Sequence, residues 1–129
     1  MCHQTVSLVA RHLEANGIPT VVVGSARDIV EHCGVPRFLF TDFPMGNPCG
    51  KPWDVEMQRR IVGQALDLLE SATGPRTTVQ APFTWSEDCS WKERYGRVDP
   101  KRAEELRRMG EARRALQERA KSEGDVRGG

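Results

Sequence analysis

The sequence predicts an α/β fold: a small, partial Rossmann-like parallel sheet flanked by helices, with a C-terminal helical extension. Three observations carry that expectation. Helical periodicity alternates with short apolar runs in the order helix, strand, helix, strand, helix, which is what crossover connections around a parallel sheet produce. A proline-rich loop, Thr41–Pro52 (TDFPMGNPCGKP), separates an apolar strand from the clearest amphipathic helix. The C-terminal part of the chain is charged and poor in apolar anchors.

The first helix is expected over Val6–Asn16 (VSLVARHLEAN), where Val6, Val9 and Leu13, with Ala10 beside them, recur at helical spacing and Gly17 supplies a left-handed stop. Ile18–Val23 follows as a β-branched strand, with Pro19 confined to its first residue or edge because it has no N–H for a ladder. Gly24 and Ser25 turn the chain. Ser25, with Asp28 three places on, reads as a helix start for Ala26–His32, which Gly34 and Pro36 end. Arg37–Phe40 (RFLF) is a second buried strand. No regular element persists in Thr41–Pro52, which holds three prolines, two glycines and an Asn in 12 residues. Trp53–Ser71 then places Met57, Ile61, Ala65 and Leu68 on one stripe, widened by Val62, Leu66 and Leu69.

Thr77–Gln80 (TTVQ) is a candidate third strand, limited by Pro82. A parallel sheet normally wants several members and two covered faces, so a partner chain completing it is expected. Thr84 and Glu87 have capping-box spacing ahead of a helical turn. Asp99–Pro100 starts a longer helix whose only apolar anchors are Ala103, Leu106, Met109, Ala112 and Leu116. The organisation is thus an α/β unit over residues 1–75, an aromatic-rich connecting segment over 76–98, a charged helix over 99–121 and a flexible tail over 122–129.

A chain of 129 residues fits one domain, and 19 basic against 18 acidic side chains leave a formal charge of +1, with no polyanion signature. Lys101–Lys121 is locally basic, with eight Lys/Arg against four Glu. No apolar run reaches the roughly 18 to 20 residues of a membrane helix, and Met1 is followed by CHQT rather than a leader pattern, so the chain is read as cytoplasmic. Cys2, Cys33, Cys49 and Cys89 are too few and too scattered for a disulfide framework and are expected as thiols or a redox pair.

Cys49 lies in NPCG, where the backbone tends to expose the side chain. It reads either as a reactive thiol, activated by Lys51 or by the start of the following helix, or as an ordinary loop residue. Cys2 directly precedes the first helix, whose free N–H groups favour a thiolate, and His3 beside it could assist if protonated. Asp42 follows a buried strand, the position from which parallel-sheet proteins present groups to ligands. Asn47 suits either a polar contact or a turn. Cys33 and Cys89 are expected to pack. His12 and His32 have no paired ligand at helical spacing, and no metal site or cofactor pattern is seen. Val23–Ser25 lacks the glycine pattern of a nucleotide site. Trp85, Trp91 and Tyr95, with Arg94 and Arg97, fit a partner or ligand surface, packing over the chain's own helix, or stacking on single-stranded nucleic acid.

The helix-strand segment LVARHLEANGIPTVVV, the turn FPMGNPCGKP and the helix EMQRRIVGQALDLLE together resemble the C-terminal part of the B component of the glycine, sarcosine and betaine reductases, and of the related D-proline reductase subunit. The resemblance runs from Cys2 to about Ser71, and GNP is its most specific short match. It implies reductive cleavage of a carbon–nitrogen bond by a selenol or thiol whose oxidised form is reset by partner proteins. Cys2 resembles the cysteine that follows the family's selenocysteine by three positions; the selenocysteine position would precede Met1.

The resemblance therefore implies a subunit of a thiol- or selenol-dependent reductase with a composite site. Cys2, by the resemblance, and Cys49 and Asp42, from the loop's own residues, are the catalytic candidates; Asn47, Lys51 and Gly46 are the substrate-binding candidates, and the upstream substrate region is expected on a partner subunit. The alternative is a non-catalytic structural or regulatory subunit that completes a partner's fold. A lyase or hydrolase using Asp42 and a histidine is the third class, and no well-spaced acid and base pair supports it.

Overall fold

The computed structural model describes residues 2–95, 97 and 99–122, in two compact units over 1–95 and 96–129. In the first unit, α1 (Cys2–Ala15) ends where Gly17 takes φ +82°. The Ile18 N–H donates to Leu13 O and the Gly17 N–H to Glu14 O, the paired bonds of a Schellman cap. The buried face of α1 is Ser7 and Ala10, whereas Val6 and Val9 are about half exposed. Of the apolar residues at helical spacing, Ala10 therefore packs inward while the two valines face outward. Small residues occupy the side that packs against the rest of the unit.

Three parallel strands, β1 (Val22–Gly24), β2 (Arg37–Phe40) and β3 (Thr77–Gln80), form a sheet in that order, with Val22 opposite Phe38 and Leu39 opposite Val79. The α/β expectation of a small parallel sheet flanked by helices is borne out, and β2 and β3 have the expected bounds. β1 begins later than Ile18. The reason is local: Pro19 has no N–H, and both the N–H and the hydroxyl of Thr20 donate to Glu14 Oε2, at 2.7 and 3.1 Å. Arg37 donates to the other oxygen of the same carboxylate at 2.8 Å.

α2 (Arg27–Cys33) ends at Gly34, whose φ is +72°. Its N-cap is Ala26, without a side-chain bond, so Ser25 does not cap it as the sequence led us to expect. The Ser25 hydroxyl is buried without a hydrogen-bond partner among the described residues. α3 (Val55–Ser71) is capped by Asp54, whose carboxylate accepts from the Met57 N–H at 3.0 Å.

The helices take opposite faces of the sheet because side chains alternate along each strand. Val22 and Phe38 pack with Ala10 of α1 and Val30 of α2; Leu39 packs with Ile61, Ala65 and Leu68 of α3, and Val23 lies against that second cluster. The chain thus steps twice in the same direction across the sheet while its covering helix changes face. The two crossovers consequently have opposite hands, and one departs from the right-handed rule.

Beyond β3, Phe83 and Trp85 close the α3 side, with the Arg60 guanidinium 4.7 Å from the Phe83 ring centroid. α4 (Ser90–Tyr95) is started by Asp88, which accepts from the Ser90 N–H and the Ser86 hydroxyl, rather than by Thr84. The Ser90 hydroxyl first, then the Ser90 N–H and the Ser86 hydroxyl, hold the Asp88 carboxyl below its usual range. Cys89 has φ +51° and is exposed, so the packing role expected of it does not hold.

In the second unit, α5 (Pro100–Ser122) starts at Asp99, whose carbonyl accepts from the Arg102 and Ala103 N–H groups. Leu106, Met109 and Leu116 are exposed on it, as a thin stripe requires. Of the expected tail, residues 123–129 lie outside the described residues. Among the described residues no helix is long and apolar enough to cross a membrane.

Candidate functional site

The chemistry-bearing side chains converge on the C-terminal end of the strands, where loops rather than ladders decide which groups face outward. Thr41, fully buried just past β2, fixes that end. Its N–H donates to Gly24 O at 2.9 Å, and its hydroxyl donates to Pro48 O at 2.9 Å. The second bond folds the proline-rich loop back over the sheet and holds the residue before Cys49 beside the strand end. Three successive turns then carry the chain from Pro44 to Asp54: Asn47 N–H to Pro44 O, Gly50 N–H to Asn47 O, and Asp54 N–H to Lys51 O. Asn47 therefore spends its backbone on two of these turns. Gly46 takes φ +91°, and a side chain there would meet only open space. Cys49 is exposed, as its setting between proline and glycine predicts, and Lys51 is half-buried.

Cys2 opens α1, and its Sγ lies 3.6 Å from His3 Nδ1. The other ring nitrogen, Nε2, receives the Ser25 backbone N–H at 3.3 Å. A nitrogen that accepts a hydrogen bond carries no proton, so the neutral ring holds its proton on Nδ1 and offers it to Cys2. His3 is thus placed as a donor to a thiolate rather than as a base for a thiol, and it needs no positive charge to do so. Gly24 leaves room for this ring: a Cβ there would come within 3.1 Å of His3 Cδ2. The sequence showed Cys2 and His3 as neighbours but not the Ser25 amide that orients the ring.

Asp42 faces a shallow open cleft of about 250 Å³ lined by Ser25, Phe43, Met45, Trp91, Lys92 and Tyr95. Its carboxylate is paired with the Lys92 ammonium, and that bond holds the Lys92 pKa above its usual range. The same ammonium lies 5.6 Å from the centroid of the Trp91 ring. Tyr95 donates to Met45 O at 3.3 Å and meets Trp91 edge-on, while Trp85 packs on Phe43 with centroids 5.5 Å apart. The aromatic cluster therefore folds onto the loop after β2.

The structure brings Asp42 to this cleft and Cys2 to His3 and Ser25. Cys2, Cys49, Gly46, Asn47 and Lys51 do not line the cleft. Lys92 was missed, because its contact with Asp42 reaches fifty residues back along the chain, where periodicity carries no signal. Among the described residues no cluster of three or more His, Cys, Asp or Glu is arranged to hold a metal ion.

The class that this geometry defines is a parallel α/β unit with three exposed thiols: Cys2 at the start of the first helix, Cys49 in the loop that closes the strand ends, and Cys89 just before α4. The chain is a distant homologue of a reductase subunit: it is 31% identical over 84 residues to the D-proline reductase subunit gamma of Acetoanaerobium sticklandii. The match takes in 65% of this chain and 35% of that protein, so the chain spans about a third of the relative's length. No protein-family model matches the chain, and no solved structure matches it.

Proposed function

We propose that this chain is a subunit of a thiol- or selenol-dependent reductase that cleaves a carbon–nitrogen bond, with a composite site shared with a partner chain. The observation that carries the reading is Cys2 at the start of α1, faced by the Nδ1–H of a histidine whose tautomer the Ser25 amide sets. A helix N-terminus and a facing N–H both favour thiolate, the form that reacts. Homology to a reductase subunit supports the same chemistry. Two electrons pass to the substrate as its C–N bond breaks and the nitrogen leaves with a proton. An S–S or Se–S bond forms in return, and a partner reductant resets it. Cys2 is the nucleophilic or resolving thiol and Cys49 the second thiol. Asp42, Asn47 and Gly46 position the substrate's polar groups, and Lys51 stabilises a carboxylate or thiolate.

Alkylation kinetics between pH 5 and 9, on the wild type and on the C2S and C49S variants, test the assignment. Cys2 is expected to be alkylated about tenfold faster at pH 7 than a cysteine in a short unstructured peptide. Replacing His3 by Ala should slow that reaction. If Cys2 and Cys49 both react no faster than the peptide thiol, the catalytic reading loses its support.

A second reading, a non-catalytic subunit that completes a partner's fold, is favoured by the open edges of the three-stranded sheet and by the exposed apolar side of α3. Activity that survives loss of both Cys2 and Cys49 in the native complex would select it.

A further inference from the structure

We propose that Asp42, Trp91 and Tyr95 form a binding subsite for a small organic ammonium ion, and that Lys92 occupies it with its own ammonium group as a displaceable plug. The inference stands beside the thiol-reductase reading and does not depend on it, since it requires only the cleft. Three features carry it. The Lys92 Nζ is at once paired with the Asp42 carboxylate and 5.6 Å from the Trp91 ring centroid, the carboxylate-plus-aromatic setting that recognises an alkylammonium cation. The frame around it is held without Lys92: the Tyr95 hydroxyl bonds Met45 O at 3.3 Å, and Tyr95 braces Trp91 edge-on. Removing the lysine head therefore leaves a formed pocket of one carboxylate and two rings. Finally, the plug is weakly held, because its side chain and that of Asp42 are 47% and 42% exposed. Ion pairs this exposed contribute little, so a free cation can compete.

Lys92 is the right length to stand in for a ligand because it emerges from α4 next to Trp91, while Asp42 is fixed just past the end of β2.

The probe is tetramethylammonium chloride, read by the Trp91 indole N–H signal in NMR, with sodium chloride at equal ionic strength as the reference. Lys92→Met keeps the apolar stem and removes the plug. It is expected to bind the probe about three- to fivefold more tightly than the wild type, the worth of an exposed ion pair. Lys92→Met combined with Asp42→Asn should lose saturable binding. Equal affinity in wild type and Lys92→Met, or binding that survives in the double variant, overturns the proposal. A measurement on the wild type alone guards against a variant that fails to fold. Tetramethylammonium should speed acylation of the Lys92 amine beyond the effect of sodium chloride; equal effects of the two salts mean simple screening and also overturn it. None of these readouts involves a cysteine, so unexceptional alkylation rates at Cys2 and Cys49 would sink the reductase reading and leave this one standing.

Discussion

At the scale of single residues, Glu14 does the most to tie distant parts of the chain together. One carboxylate receives the Thr20 N–H and hydroxyl and the Arg37 guanidinium, joining the last turn of α1 to the entry of β2. The Arg37 bond is the chief cause of a Glu14 pKa below its ordinary value, with burial opposing it. A carboxyl whose folded pKa is depressed stabilises the fold above its unfolded pKa and loses that contribution as pH falls through the folded value. Wild-type stability attributable to Glu14 should therefore be complete near neutral pH and decline from about pH 4.5 downward. Glu14→Gln is expected to cost about 1–2 kcal/mol at pH 7, the scale of a hydrogen bond to a charged group in a half-buried setting. Urea denaturation at pH 7 and pH 3 checks this: the gap between variant and wild type should shrink at the lower pH. This network was not legible beforehand. Glu14 and Thr20 carry no spacing signal that pairs them, and the Schellman turn at Gly17 brings them together.

At the scale of elements, the sequence was most informative where one face of a helix is both apolar and sterically committed. The stripe Met57, Ile61, Ala65 and Leu68 is the packed side of α3, and Ile61 is fully buried. Val62 and Leu66 look equally apolar in sequence, yet they are 46% and 57% exposed. Ile61→Ala is accordingly expected to cost about 2–5 kcal/mol, whereas Leu66→Ala should stay within about 0.5 kcal/mol. Thermal unfolding of the two variants side by side would show it, and equal losses would mean that α3 is rotated from this orientation. The same distinction explains the misreading of α1. Periodicity locates an apolar stripe but does not rank it against a stripe of small residues, and close packing favoured Ser7 and Ala10. Strand bounds were legible for β2 and β3, where the backbone meets only its ladder. They were not legible for β1, where a side chain takes the N–H that would otherwise extend the strand.

At the scale of the whole molecule, the first unit leaves much apolar surface uncovered. Trp53 is 95% exposed at φ +66°, and Val55, Val62 and Leu66 continue from it along α3. A left-handed backbone at a bulky residue is costly, and a large ring in water gains nothing from holding it there. Contiguous apolar surface of this kind marks an interaction face. The sheet points the same way, since among the described residues β1 and β3 each pair on one side only, and Val79 of β3 is 42% exposed. A protein partner that buries the α3 face would meet these demands and would supply the second wall of the composite site proposed above. Isolated with its native partners, the chain should scatter light as an assembly well above its own 14.5 kDa. Val62→Asp with Leu66→Asp should release it as a folded monomer, because both side chains are already at the surface and the core stripe is untouched. A wild-type chain that runs as a stable monomer beside its partners would overturn both the composite site and the scaffolding role. An assembly that survives the double substitution would instead move the contact from α3 to the open edges of the sheet.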